Sequence, residues 1–169
     1  MDPTLQSVDE LMAALYPLAR RMAARQLGAG SGADLQRTEL VANAYIRIKQ
    51  SDPTAALSQA HFLSLLARVL RQVVVDHWRQ GERRQGAATP LVQTLSQLTG
   101  GSASLTSMLR LDELLDRLEQ TDAMAAEVVS LRVFGGMTAE EIAEQLNVGT
   151  ATVGRKWRMG SAWLRQALR

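Results

Sequence analysis

Met137-Thr138-Ala139-Glu140-Glu141-Ile142-Ala143-Glu144-Gln145-Leu146-Asn147-Val148-Gly149-Thr150-Ala151-Thr152-Val153-Gly154-Arg155-Lys156-Trp157-Arg158-Met159-Gly160-Ser161-Ala162-Trp163-Leu164 reads as two short helices joined by a tight turn. Thr138 is placed to cap the first helix, and Glu141, three residues on, completes a capping box. Ile142 and Leu146 share one face of that helix. Asn147 and Gly149 tolerate the backbone angles that a tight turn demands. Val153, Trp157, Gly160 and Leu164 recur at helical spacing and are expected to pack inward. Arg155, Lys156 and Arg158 are then left facing outward. A helix with a packed back, a small tip (Thr150, Ala151, Thr152) and a basic flank fits a DNA major groove. The pattern is that of a helix-turn-helix.

Charge is segregated in the same region. Met108 to Gly149 holds three basic and nine acidic residues, whereas Thr150 to Arg169 holds five basic and none acidic. Basic charge therefore falls on the expected recognition helix, where phosphates would lie. The acidic part is expected to face elsewhere, or to repel DNA and so orient docking. The plainer alternative is an amphipathic helical hairpin with a solvated basic end.

The chain has 169 residues, of which 46% are hydrophobic, enough for one domain or two small ones with packed cores. Alternating apolar-polar runs are absent, and Leu, Ala, Arg, Gln and Glu dominate, so the fold class expected is all-α. With no cysteine, disulfides, thiol catalysis and Cys-based zinc sites are excluded. His61 and His77 have no ligand partners nearby in sequence, so neither a metal nor a cofactor is expected. The acidic N-terminus is no signal peptide. The longest apolar stretch, Phe62 to Val75, is broken by Ser64, Arg68, Arg71 and Gln72, so no membrane span is expected and the chain reads as cytoplasmic.

Residues 87–107 carry no charge and are rich in Ser, Thr, Gly, Ala and Gln. That is the composition of a flexible connector breaking at Gly100-Gly101, although Leu91, Leu95 and Leu98 leave open a short docking helix. Two helical domains, 1–86 and 108–169, joined by the linker 87–107, are the simplest organisation. The first is expected to hold helices from Val8 to about Leu27, from about Leu35 to Lys49, and from about Ser58 to Arg84. In the third, Phe62, Leu65, Leu66, Val69, Leu70, Val73 and Trp78 pack. Arg68, Arg71, Gln72, Arg79, Arg83 and Arg84 line its exposed side. Helices at about 108–119 and 122–134 precede the helix-turn-helix.

Domain order, linker and terminal helix-turn-helix together resemble a bacterial RNA polymerase sigma factor of the sigma-70 family, extracytoplasmic-function (ECF) class. Such factors keep two sigma domains, σ2 and σ4. Leu40-Val41-Ala42-Asn43-Ala44-Tyr45-Ile46-Arg47-Ile48 is similar to the σ2 segment that grips polymerase. The run from Ala67 to Arg79, ending Asp76-His77-Trp78-Arg79, resembles the promoter-melting helix with its Asp-His-x-Arg pattern. Trp157 to Leu164 resembles the end of the σ4 recognition helix. The resemblance implies a non-enzymatic factor that binds core RNA polymerase through its β′ coiled coil and β flap and directs it to promoter DNA. Arg37, Thr38, Glu39, Asn43 and Arg47 are the polymerase-contact candidates. Arg68, Arg71, Gln72, Asp76 and Arg79 would meet the −10 element as separated strand. Thr150, Thr152, Arg155, Lys156 and Arg158 would read the −35 element as duplex.

One departure from the family pattern is informative. Family members commonly carry Asp-Ala-Glu-Asp just before Leu-Val, whereas Gln36-Arg37-Thr38-Glu39 stands here. One carboxylate remains, an arginine is added, and Asn43 replaces a usual acid, so complementarity with a basic coiled coil is poor. A phosphate on Thr38 would supply about −1.5 to −2 charge near the usual place, and at the expected helix start it would also face free N–H groups. Leu-Gln-x-Thr-x-Leu-Val resembles an ECF-like subgroup associated with Ser/Thr protein kinases, which adds a kinase to the expected partners. Alternatively, Thr38 simply caps the helix. A stand-alone helix-turn-helix regulator with an N-terminal sensor or dimerisation domain is the competing function.

Overall fold

A computed structural model describes residues 4–27, 33–52, 54–79, 90–99 and 105–168, with the side chains at 33–35, 77–79, 90–92, 95, 99 and 105 outside the described set. Among the described residues the fold is all-α apart from one two-residue ladder. In it β1 (Gln6–Ser7) pairs antiparallel with β2 (Ala56–Leu57), Gln6 opposite Leu57 and Ser7 opposite Ala56. So short a ladder leaves no alternation in the sequence from which it might be read.

Three helices form the first half: α1 (Val8–Leu27), α2 (Ala33–Ser51) and α3 (Gln59–Arg79). Asp9 and Glu10 sit in the first turn of α1 and Arg25 in its last, matching the helix dipole at both ends. Leu40, Ala44 and Ile48, and likewise Phe62, Leu66 and Leu70, recur four residues apart and are buried together with Leu11 and Met22 of α1. Asp9 binds α1 to α2, accepting from the Tyr45 hydroxyl at 2.8 Å and pairing with Lys49 at 3.0 Å.

The second half holds α4 (Pro90–Thr99), α5 (Leu105–Thr121), α6 (Ala123–Val133), α7 (Ala139–Leu146) and α8 (Thr150–Ala167). Within the expected linker, Pro90 opens α4, a position where its missing N–H has no helical partner to lose. Leu98 of that helix is buried, as the docking-helix alternative requires. Gly100 and Gly101, where the connector is expected to break, lie outside the described residues.

The apolar interior does not stop at the boundary between the halves. Val128, Leu131, Met137, Ile142 and Val153 join the cluster built by α1–α3. Val74 and Val75 of α3 join the cluster of Leu98, Met108, Leu111, Leu115, Phe134 and Leu164. Polar groups from α1 reinforce the seam. Arg25 donates to the Val133 carbonyl at 2.9 Å and to the Thr94 hydroxyl at 2.9 Å, and Gln26 donates to the Phe134 carbonyl at 3.3 Å. These are C-terminal carbonyls of α6, which lack helical donors of their own. Burial lowers the pKa of the Arg25 guanidinium, with Arg132 nearby adding to the effect.

Candidate nucleic-acid interface

The helix-turn-helix is built by local chemistry. The Thr138 hydroxyl accepts from the Glu141 N–H at 3.2 Å, and the Glu141 carboxylate accepts from the Thr138 N–H at 2.8 Å, closing the capping box. That backbone donor, with Arg21 2.6 Å away on α1, holds the Glu141 carboxyl below its ordinary range. Asn147 ends α7 in the left-handed region at φ 52. Gly149, expected to share that role, is extended at φ −74 and precedes α8 without a side-chain cap. One left-handed residue suffices for the turn.

Val153 and Leu164 of α8 are fully buried, Gly160 is buried, and Trp157 is partly covered with the Arg132 guanidinium stacked 4.7 Å above its ring. Thr150, Ala151, Arg155 and Arg158 are exposed, and Thr152 is half-buried. Lys156 departs from expectation. Its ammonium lies 2.6 Å from Asp122 Oδ2, and Asp122 Oδ1 accepts the Ala125 N–H that it caps. Lys156 therefore ties α8 back to the start of α6 rather than standing free on the outer face. The lysine, and secondarily the capped N–H, keep the Asp122 carboxyl well on the acid side of its usual range.

On α2 the exposed residues are Thr38, Glu39, Ala42, Asn43, Ile46 and Gln50, recurring at helical spacing as one stripe. Ile46 is 48% exposed, an apolar contribution to this face that sequence reasoning missed because it falls off the spacing of Leu40, Ala44 and Ile48. Arg37 is half-buried beside the stripe. Arg47 is drawn away from it, pairing with Asp76 of α3 at 2.9 Å. Because α2 begins at Ala33 rather than near Leu35, Thr38 stands in the second turn. It is not the N-cap of α2, and the expected benefit to a phosphate from free N–H groups in the first turn does not apply there.

On α3, Gln72 is exposed and Arg68 is partly exposed. Arg71, expected on the exposed side, is only 3% exposed. Carboxylates from α5 have covered it. Arg71 Nη2 donates to Asp116 Oδ1 at 2.7 Å. Arg71 Nε lies 2.7 Å from Asp112 Oδ1, but not along the N–H direction, so that contact is electrostatic rather than a directed hydrogen bond. Arg68 pairs with Glu119, and Ser64 bonds Glu127. The side chains of Trp78 and Arg79, and residues Arg83 and Arg84, lie outside the described residues. Sequence reasoning missed Asp112, Asp116 and Glu119. The signal was their placement at i, i+4 and i+7, which puts three carboxylates on one stripe of α5.

The described residues form two groups of helices, the second ending in a capped helix-turn-helix with exposed Thr150, Arg155 and Arg158. The model of the ECF sigma factor family matches residues 5–169. The chain belongs to the ECF sigma factor family. No curated protein matches it. As a sigma factor it binds core RNA polymerase and promoter DNA and directs transcription initiation, a non-enzymatic role exercised on polymerase in the cytoplasm. No helix among the described residues is long and apolar enough to cross a membrane, and no group of side chains among them is arranged to hold a metal ion.

Proposed function

We propose that this sigma factor engages core polymerase through the exposed stripe of α2, and that phosphorylation of Thr38 by a Ser/Thr kinase strengthens the engagement. The observation that carries the proposal is the charge of the stripe. Glu39 is the sole carboxylate among Thr38, Glu39, Ala42, Asn43 and Ile46, and Arg37 flanks it. Against a basic coiled coil such a face attracts weakly. A phosphothreonine adds about −1.5 to −2 charge and three acceptor oxygens suited to arginine. Thr38 is exposed, as a kinase substrate must be, and helix capping does not account for it.

Residues 1–86 then act as the σ2-like unit, 108–169 as the σ4-like unit that meets the β flap, and 87–107 as their connector. Thr150, Thr152, Arg155 and Arg158 read the −35 duplex, and Lys156 contributes by holding α8 against Asp122. Arg68, Arg71, Gln72, Asp76 and Arg79 form the surface for the −10 strand.

The test is binding of purified chain to core polymerase, unmodified against phosphorylated at Thr38, with Thr38→Ala in cells. Tight binding by the phosphoform alone, with loss of transcription in Thr38→Ala, is the expected result. Equal binding by both forms discards the switch and keeps the α2 stripe. A Thr38→Ala variant that transcribes at the wild-type level does the same.

A further inference from the structure

We propose that the free sigma factor is latched shut by three carboxylates of α5, Asp112, Asp116 and Glu119, which occupy Arg68 and Arg71 of α3 in place of the DNA strand. Docking through the uncovered faces of α2 and α8 then precedes release of α3. The proposal rests on the assignment of α3 to the −10 strand made above, and deepens it by naming what occupies that surface beforehand.

The geometry is that of a ligand site already filled. Arg71 is sandwiched by Asp112 and Asp116, and its side chain retains 4% exposure. Arg68 lies 4.0 Å from Asp116 and pairs directly with Glu119. An arginine so buried is desolvated, and its charge is tolerable because anionic oxygens surround it. Phosphate oxygens offer a guanidinium the same planar two-point bonding as carboxylates do. DNA can therefore reach Arg71 only by displacing α5, and it provides the group needed to replace it. Three negative charges at i, i+4 and i+7 stand in for a short length of phosphate backbone.

The closure is selective. Glu39, Ala42, Asn43 and Ile46 of α2 are exposed in the latched chain, as is Thr38. So are Thr150, Arg155 and Arg158 of α8. Polymerase, a kinase and −35 duplex all find their faces uncovered, while the strand-binding arginines do not.

The seam is also built to part. A cavity of about 430 Å³ opens beside the latch between α3 and the helices α5–α7. Leu65, Leu115, Met124 and Leu146 line its apolar side, with Arg68 and Glu119 at the polar one. Leu65, Met124 and Leu146 are only partly buried along this open cleft and lack the partners that a close-packed core would give them, so this part of the interface coheres less than the helices around it. The ion pairs therefore carry a larger share of closure here.

The experiment uses the full chain, whose lack of cysteine allows two dyes to be placed at Ala42→Cys on α2 and Gln120→Cys on α5, both exposed. Energy transfer reports closure, and binding of a fluorescent single-stranded oligodeoxynucleotide reports the strand surface. The comparison is between wild type and Asp112→Asn/Asp116→Asn/Glu119→Gln. Glu119→Lys alone serves as a second variant, since this exposed side chain contributes little to folding and its reversal repels Arg68. The latch predicts lower energy transfer and at least tenfold tighter strand binding in the triple variant, and a smaller change of the same sign in Glu119→Lys. Unchanged energy transfer in both variants overturns the latch while leaving the α3 assignment standing. Opening without any gain in strand binding overturns the masking and the α3 assignment together.

Discussion

Alanine at Gly160 should loosen this sigma factor, whereas alanine at Gly154, in the same helix, should tighten it. Either substitution removes a glycine from a helix interior, which by itself stabilises by about 0.5–1 kcal/mol. At Gly154 a new Cβ meets nothing within 4 Å, so the full gain should appear. At Gly160 it would lie 2.9 Å from Val129 Cγ2 and 3.5 Å from both the Ala125 carbonyl oxygen and Leu118 Cδ2. Apolar carbons rest at about 3.5–4.0 Å, leaving a shortfall of roughly 0.6–1 Å. Val129 is fully buried, and a helical valine has essentially one rotamer, so it cannot turn aside. The helices α6 and α8 must part instead, and overpacking of this kind costs about 1–3 kcal/mol. The net expectation for Gly160→Ala is a loss of about 1 kcal/mol, a fall in Tm of roughly 2–4 °C for a chain of this size. Urea unfolding followed by circular dichroism gives both values, provided the slopes agree. Adding Val129→Ala removes the obstructing methyl and should restore the helix gain, seen as coupling in a double-mutant cycle. A Gly160→Ala protein as stable as wild type, or a cycle with no coupling, would refute the close-approach argument.

Other substitutions test the remaining parts. Thr138→Ala removes the cap of α7 and should cost about 1 kcal/mol, within the 0.5–2 kcal/mol range of such losses, by the same unfolding assay. The folded-state pKa values of Asp122 and Glu141 are depressed, so the folded chain binds fewer protons than the unfolded one through the carboxylate range. The stability they contribute is present at neutral pH and lost as pH falls below about 4. The stability gap between wild type and Lys156→Met should accordingly shrink over that interval, and a gap independent of pH would show that Asp122 is not the partner. Arg155→Ala should cost holoenzyme about 1–3 kcal/mol of −35 duplex binding if the arginine reads a guanine, with core binding unchanged as the control. Duplex binding unaffected by the loss of Arg155 would remove it from the reading face.

What the sequence disclosed was governed by locality. The capping box of Thr138 and Glu141, the left-handed Asn147 and the buried back of α8 each depend on residues a few positions apart, and each stands in the structure as read. The all-α class followed from periodicity in the same way. Lys156 and Arg71 were misjudged because their partners, Asp122 and the acids of α5, come from other helices. Nothing in a helical stripe says whether a charged position meets water or a neighbouring carboxylate. Ile46 was missed because it falls off the spacing of Leu40, Ala44 and Ile48, and nothing in the sequence marks an apolar residue there as part of an exposed stripe. The connector 87–107 was ambiguous because a chargeless segment with three leucines is consistent with either a loop or a short docked helix. Leu98 takes the second course.

The sharpest instance is the acidic segment before the recognition helix. From charge alone it is expected to face elsewhere, or to repel DNA and so orient docking. Three of its nine acids lie within ion-pairing reach of the α3 arginines, which says where that part faces and gives it a short-range role that charge alone does not. Repulsion of that kind is screened within about 10 Å at ordinary salt, whereas a desolvated pair such as Arg71 with Asp112 is screened much less. The two readings therefore separate on salt. If the acids act by repulsion at a distance, strand binding by the triple amide variant and by wild type should converge as salt rises toward 1 M. If they act by occupancy, the variant keeps an advantage there, because wild type must still expose a buried arginine before DNA can reach it. The contact geometry favours occupancy, and convergence at high salt is the result that would reverse that judgement.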